Sequence, residues 1–85
     1  AAYLDTYGWI EYKFGDSARA VEVLEKAIAA APNAAIMRYH LGMAYVAQGN
    51  EVLAKDNLSQ AIGANVEFRG LDEAKAALAK IDSGS

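Results

Sequence analysis

The 85-residue chain has no cysteine, one proline and one histidine. The first absence excludes disulfides and thiolate metal sites. A lone histidine with no patterned acidic partner is not a metal site either, so no metal or cofactor is expected. Lys and Arg total 8 against 11 acidic residues, for a net charge of -3, and they are scattered. No basic run supplies an electrostatic footprint for nucleic acid. No apolar run approaches the roughly 20 residues that span a bilayer, so direct membrane insertion by this segment is not expected. No signal peptide, lipobox or initiator Met is visible. Runs of β-branched residues are also missing, and no strand is expected. So short a chain forms one small domain with a thin core, and it needs regular helix packing or a partner to be stable.

What is present is helix-forming. Hydrophobic residues make up 54% of the chain, alanine foremost among them, accompanied by Leu, Glu and Lys. The pattern is written twice. Gly8 and Gly42 are 34 residues apart, as are Gly15 and Gly49, Ala20 and Ala54, Leu24 and Leu58, Ala27 and Ala61, and Ile28 and Ile62. Tyr7 against Leu41 and Asp16 against Asn50 continue the register. Several independent small or apolar positions holding one offset mark an internal duplication, followed by a tail.

Each unit divides into two helices. Leu4, Tyr7, Gly8 and Ile10 recur at helical spacing, and Gly15-Asp16 interrupts them. Asp16 or Ser17 can then accept hydrogen bonds from the free N–H groups of the next helix. That helix carries a stripe of Ala20, Val21, Leu24, Ala27 and Ile28. Pro32-Asn33 closes the unit, since proline donates no hydrogen bond and cannot continue a helix. The second unit repeats the scheme with Leu41, Gly42 and Tyr45, then Gly49-Asn50, then Ala54, Leu58, Ala61 and Ile62. Gly8, Gly42, Ala20 and Ala54 suit close crossings of antiparallel helices. In "GLDEAKAALAKI", residues 70–81, Leu71, Ala74, Leu78 and Ile81 face one way and Asp72, Glu73, Lys75 and Lys80 the other. Five helices are expected, near 2–14, 17–30, 35–48, 51–64 and 70–81, in an all-α fold.

These residues resemble the tetratricopeptide repeat family, whose 34-residue signature is W-x2-L-G-x2-Y, then A-x3-F, then P. The first copy offers Leu4, Tyr7, Gly8, Ala20-x3-Leu24, Ala27 and Pro32; the second offers Leu41-Gly42-x2-Tyr45, Ala54-x3-Leu58 and Ala61. Leu4 and Arg38 replace the signature Trp, Glu11 replaces Tyr, and Val66 replaces Pro. The resemblance implies two helix-turn-helix repeats at 1–34 and 35–68, a C-terminal capping helix at 69–82 and a disordered tail at 83–85. Such a helix covers the last repeat and turns a soluble face outward. A narrower likeness, carried by "DTYGWIEYKFGD", "APNAAIMRYHLGMAY" and "EAKAALAKI", is to the C-terminal repeats of bacterial tetratricopeptide lipoproteins of the exosortase (PEP-CTERM) sorting system. It would imply an exported, envelope-attached parent chain, against the cytoplasmic location otherwise open.

No constellation for catalysis is present. A nucleophile needs a base within reach and usually a third orienting group. His40 reads as a surface or groove-edge histidine, Asp72-Glu73 as charges favourable at a helix start, and the glycines are not a phosphate loop. The reading is therefore a non-catalytic interaction scaffold that binds a protein or peptide partner. By the family pattern, the first helix of each unit lines a concave groove. The lining residues are Ala2, Asp5, Trp9, Tyr12 and Lys13, then Ile36, Tyr39, Met43, Val46 and Ala47. Trp9, Tyr12, Tyr39 and Met43 are a heavy aromatic and thioether load for positions that the helix-pair core does not need. Asp5 and Trp9, with Tyr39 and Met43, stand where a chaperone-tail carboxylate clamp would carry Lys and Asn, so the expected ligand is apolar or amphipathic. Two alternatives stand beside this reading. The chain ends a longer array as a structural fragment, or it is a homodimerisation module whose exposed edge is Tyr3, Tyr7, Ile10 and Phe14.

Overall fold

The computed structural model describes residues 2–84 along the backbone and residues 5–83 with their side chains. Five helices follow one another: α1 Ala2–Lys13, α2 Ser17–Ala30, α3 Ala35–Gln48, α4 Glu51–Gly63 and α5 Leu71–Gly84. The fold is all-α. α5 runs on through Ser83 and Gly84, which were expected in a disordered tail, and the Ser83 hydroxyl donates to the Lys80 carbonyl at 3.3 Å.

The turns inside the two hairpins are copies of each other. Gly15 and Gly49 have φ of +91° and +77°, the left-handed conformation that glycine adopts without a Cβ penalty. The next N–H folds back over the preceding helix, from Asp16 to the Glu11 carbonyl at 2.9 Å and from Asn50 to the Tyr45 carbonyl at 3.0 Å. The same two residues then cap the second helices. Asp16 Oδ1 accepts from the Arg19 N–H at 3.0 Å, and Asn50 Oδ1 from the Leu53 N–H at 3.2 Å. Each cap stabilises its helix by about 1 kcal/mol.

Packing repeats at the same offset. Ala20, Leu24 and Ala27 on α2 are fully buried, and so are Ala54, Leu58 and Ala61 on α4. Gly8 lies against Leu24, where a Cβ would stand 2.5 Å from Leu24 Cγ; at Gly42 it would stand 2.7 Å from Leu58 Cγ. The two glycines therefore let α1 meet α2, and α3 meet α4, close enough to enclose a leucine. Full burial of such a leucine stabilises the fold by about 1.5–3 kcal/mol.

The hairpins join through α2 and α3, and α5 packs on α4 with Ala74 and Ile81 buried. Among the described residues, α1 touches α3 and α3 touches α5, whereas α2 and α4 do not touch. The layer α1–α3–α5 is thus drawn together while the other layer is splayed, which makes the α1–α3–α5 side the concave one. Arg38, at the signature-Trp position of the second unit, ties the joint together. Its Nε donates to the Pro32 carbonyl at 3.1 Å and its Nη1 to Asn57 Oδ1 at 3.0 Å, and Asn57 Nδ2 donates to the Leu53 carbonyl at 2.9 Å.

Candidate functional site on the concave face

The first helices of the two units bring their aromatic residues into one stack. The Trp9 ring lies 4.7 Å from Tyr12 and 4.1 Å from His40, centroid to centroid, nearly parallel to both. Tyr39 tilts against Trp9 at 5.5 Å. Lys13 Nζ sits 5.1 Å from the Trp9 ring centroid, within cation–π range. Trp9 and Tyr12 are half-buried and Lys13 is exposed, so this part of the expected groove is an accessible surface.

Three expectations are corrected. His40 is not a surface histidine: it is 7% exposed, and its Nδ1 lies 2.6 Å from Asp5 Oδ1. Asp5 is accordingly no groove residue but the buried partner of His40, and the pair fastens α1 to α3. The sequence held a signal for it. Asp5 and His40 are 35 apart, one repeat plus one residue, which puts them on facing sides of neighbouring first helices. Tyr39 is not an open anchor either. It is buried, its ring meets Phe68 at 5.6 Å, and a Cβ at Gly70 would lie 2.4 Å from its ring. Burial first, then the nearby charges of Glu73 and Tyr12, raise its hydroxyl above the usual tyrosine pKa.

The remaining lining residues fall into two depressions. One, of about 530 Å³, lies between α1, α3 and the turn before α5, and takes in Trp9, Lys13, Ile36, Tyr39, His40 and Arg69. The other, of about 600 Å³, lies between α3 and α5, where Met43 and Val46 meet Ala77, Lys80 and Ile81. α5 is therefore a wall of the concave face as well as a cap, because it packs against α3 in addition to α4. The proposed self-association edge lies elsewhere. Tyr7 and Ile10 are exposed on α1 and Phe14 in the turn just after it, with Arg19 donating to the Tyr7 hydroxyl at 3.1 Å; Tyr3 and Ala2, the latter expected in the groove, lie outside the residues with described side chains.

Among the described residues, no group of three or more His, Asp or Glu side chains is placed to hold a metal ion, and no helix is long and apolar enough to cross a membrane. No curated protein and no solved structure is matched by the chain. The comparisons lend nothing to the narrower likeness to exosortase-associated lipoproteins. The model of the tetratricopeptide repeat family matches residues 1–34, and repeats of this family generally serve as protein-interaction modules that are not catalytic. The glycine-spaced hairpin α1–α2 lies in the stretch that this repeat model matches, and α3–α4 repeats its architecture before α5 packs on the stack, an arrangement consistent with tetratricopeptide helix-turn-helix repeats and a capping helix.

Proposed function

We propose that the chain is a non-catalytic interaction scaffold, built of units at 1–34 and 35–68 with a capping helix from 69, whose concave face receives an apolar or amphipathic segment of a protein partner. One observation carries this reading. Trp9, Ile36, Met43 and Val46 line its two depressions and remain at least partly accessible, Tyr12 stacks on Trp9 beside them, and together they cluster apolar side chains on one face. Aromatic side chains in such a setting are the usual carriers of binding energy.

The test is a peptide selected on the intact chain from a displayed library. Trp9→Ala and Met43→Ala should each weaken its binding about tenfold or more while leaving helicity intact. Tyr39 is unsuited to this test because it belongs to the core. Loss of binding in Glu22→Ala or Asp56→Ala, on the second helices, with retention in Trp9→Ala and Met43→Ala, would place the site on the other face and end the reading.

A second reading rests on a separate observation. The open side of α1 exposes Tyr7 by 40%, Ile10 by 45% and Phe14 by 84%. A patch of this kind on so small a protein favours association, and a two-fold pair of α1 helices is its simplest closed form.

A further inference from the structure

The two depressions of the concave face differ in chemistry. The one at Trp9 is bordered by Lys13 and Arg69, and neither cation has an ion-pair partner within 4 Å among the described residues. His40 also borders it. That ring is more than nine-tenths buried, and Asp5 holds its Nδ1, so Nε2 is the ring nitrogen left to the depression. One acid shares the space, Glu73, which stands in the first turn of α5, where the positive end of the helix favours it. Two unpaired cations against one such acid make this a locally basic spot on a chain of net charge -3. At the other depression Glu51 and Lys80 balance, and the walls are Met43, Val46, Ala77 and Ile81.

α3 sets the distance between them. Ile36 and Tyr39 border the first depression, and Met43 and Val46, seven residues further along, border the second. At 1.5 Å per residue the two sites are about 10 Å apart along the helix. Building on the groove reading above, we infer that the partner segment carries a carboxylate and a large apolar side chain about 10 Å apart, the carboxylate between Lys13 and Arg69 and the apolar group against Met43 and Ile81. In an extended segment, at about 3.3 Å per residue, that is a spacing of roughly three residues. The acid supplies direction: a segment docked the wrong way round would set its charge in the apolar depression and leave the two cations unanswered. Charge of this kind adds more to specificity than to affinity.

The probe is acetyl-Ala-Glu-Ala-Ala-Leu-Ala-amide, whose blocked ends leave the Glu side chain as its only carboxylate. Its relatives are the same peptide with Gln in place of Glu, and the Gln peptide with a free C-terminus. Binding is read by Trp9 fluorescence and by chemical shifts of the full chain. The Glu peptide should bind at least about fivefold more tightly than the Gln peptide at low salt, and the margin should shrink at high salt as the charges are screened. Lys13→Ala with Arg69→Ala should erase the margin, whereas Lys75→Ala, which lies outside this depression, should leave it. Recovery of the margin by the free C-terminus, which stands one residue from Leu and on its other side, would overturn the spacing of about 10 Å. The inference is overturned if the Gln peptide binds as tightly as the Glu peptide, if the margin survives the double variant, or if no peptide of the set perturbs Trp9. The groove reading is judged separately by the displayed-library peptide and the Trp9→Ala and Met43→Ala variants.

Discussion

Leu41 and Ala44 in the second repeat are sealed, at 3% and 0% exposure, while Tyr7 and Ile10 at the same positions of the first repeat are nearly half open. The backbone at the two places is the same, as are the glycine turns, caps and leucine-filled crossings. What differs is the neighbour. Among the described residues, α3 is enclosed by α2, α4 and α5, whereas α1 meets α2 and, over a smaller area, α3. The side chains follow suit. Tyr45 is buried and its hydroxyl donates to Glu25 at 3.0 Å, and its counterpart 34 residues earlier is the partly exposed Glu11. A repeat is therefore one local design whose outer contacts are fixed by what lies next to it.

The largest effects should come from emptying the two crossings. Leu24→Ala and Leu58→Ala each remove a fully buried side chain, and a change of this kind costs about 2–5 kcal/mol, depending on how far the site can collapse. α1 is free on one side and can move in to fill the space; α3 is held from three sides. Leu58→Ala should lower the melting temperature more than Leu24→Ala, as read by circular dichroism. Equal losses would show that the open side of α1 gives the first repeat no extra freedom.

Overfilling the same crossings is the next test. The three atoms nearest a Cβ at Gly8 all belong to the Leu24 side chain, but at Gly42 the Cβ also stands 3.3 Å from the backbone nitrogen of Leu58, which cannot rotate aside. Gly42→Ala should cost roughly 1–3 kcal/mol of packing strain, offset in part by alanine's helix preference of about 1 kcal/mol. Gly8→Ala should cost less. A Gly42→Ala chain that melts above the parent would mean the two helices are not so tightly apposed.

The architecture was legible because it rests on local, repeated signals. The 34-residue offset of Gly8, Gly15, Ala20 and Leu24 fixed the hairpins, and four of the five helices begin where spacing and capping residues put them. What escaped was contact between residues whose partners lie outside their own repeat. The only sequence signal joining His40 to Asp5 is their 35-residue separation, and it gains meaning only once α1 and α3 stand side by side. The same holds for the part α5 takes in the concave face, and Phe68 reaches Tyr39 from the loop after α4, where no helical periodicity marks it. Of the residues expected to line a groove, Trp9, Tyr12, Lys13, Ile36, Met43 and Val46 are at least partly exposed, while Asp5 and Tyr39 were drawn inward by contacts between helices. The family pattern marks which face a residue is on and not how deep it sits.

A smaller effect sharpens the contrast between Tyr45 and Glu11. Burial, then the hydrogen bond to Glu25, pushes the Tyr45 hydroxyl up to about 12, from an ordinary value of about 10. The folded state favours the neutral phenol. The stability this confers is complete below pH about 10 and is lost as the pH rises through about 12. Tyr45→Phe should cost about 1 kcal/mol at neutral pH and flatten the alkaline part of the stability curve relative to the parent. Glu11→Gln should change stability by less than about 0.5 kcal/mol. If Tyr45→Phe melts like the parent at pH 7 and retains the full alkaline slope, the hydrogen bond to Glu25 does not hold the second repeat.

The last prediction has the least effect on the stability of a single chain and bears on the open side of α1. Ile10 and Phe14 are exposed, so replacing them removes little from the folded interior. Ile10→Glu with Phe14→Glu should shift stability by only about 0.5 kcal/mol. The two-fold pairing through α1 should appear in the parent as a rise in mean mass across a dilution series reaching millimolar concentration, by sedimentation or light scattering. In the double variant the charges would meet their own copies across the two-fold axis, and the rise should vanish. A parent that remains monomeric throughout, or a dimer that forms equally well in the double variant, would rule out this edge as the interface. The corresponding face of α3 carries no such liability, because α2 already covers Leu41 and Ala44 within the chain. An identical mass profile for parent and variant would therefore mean that the exposed apolar side chains of α1 are tolerated in water as they stand.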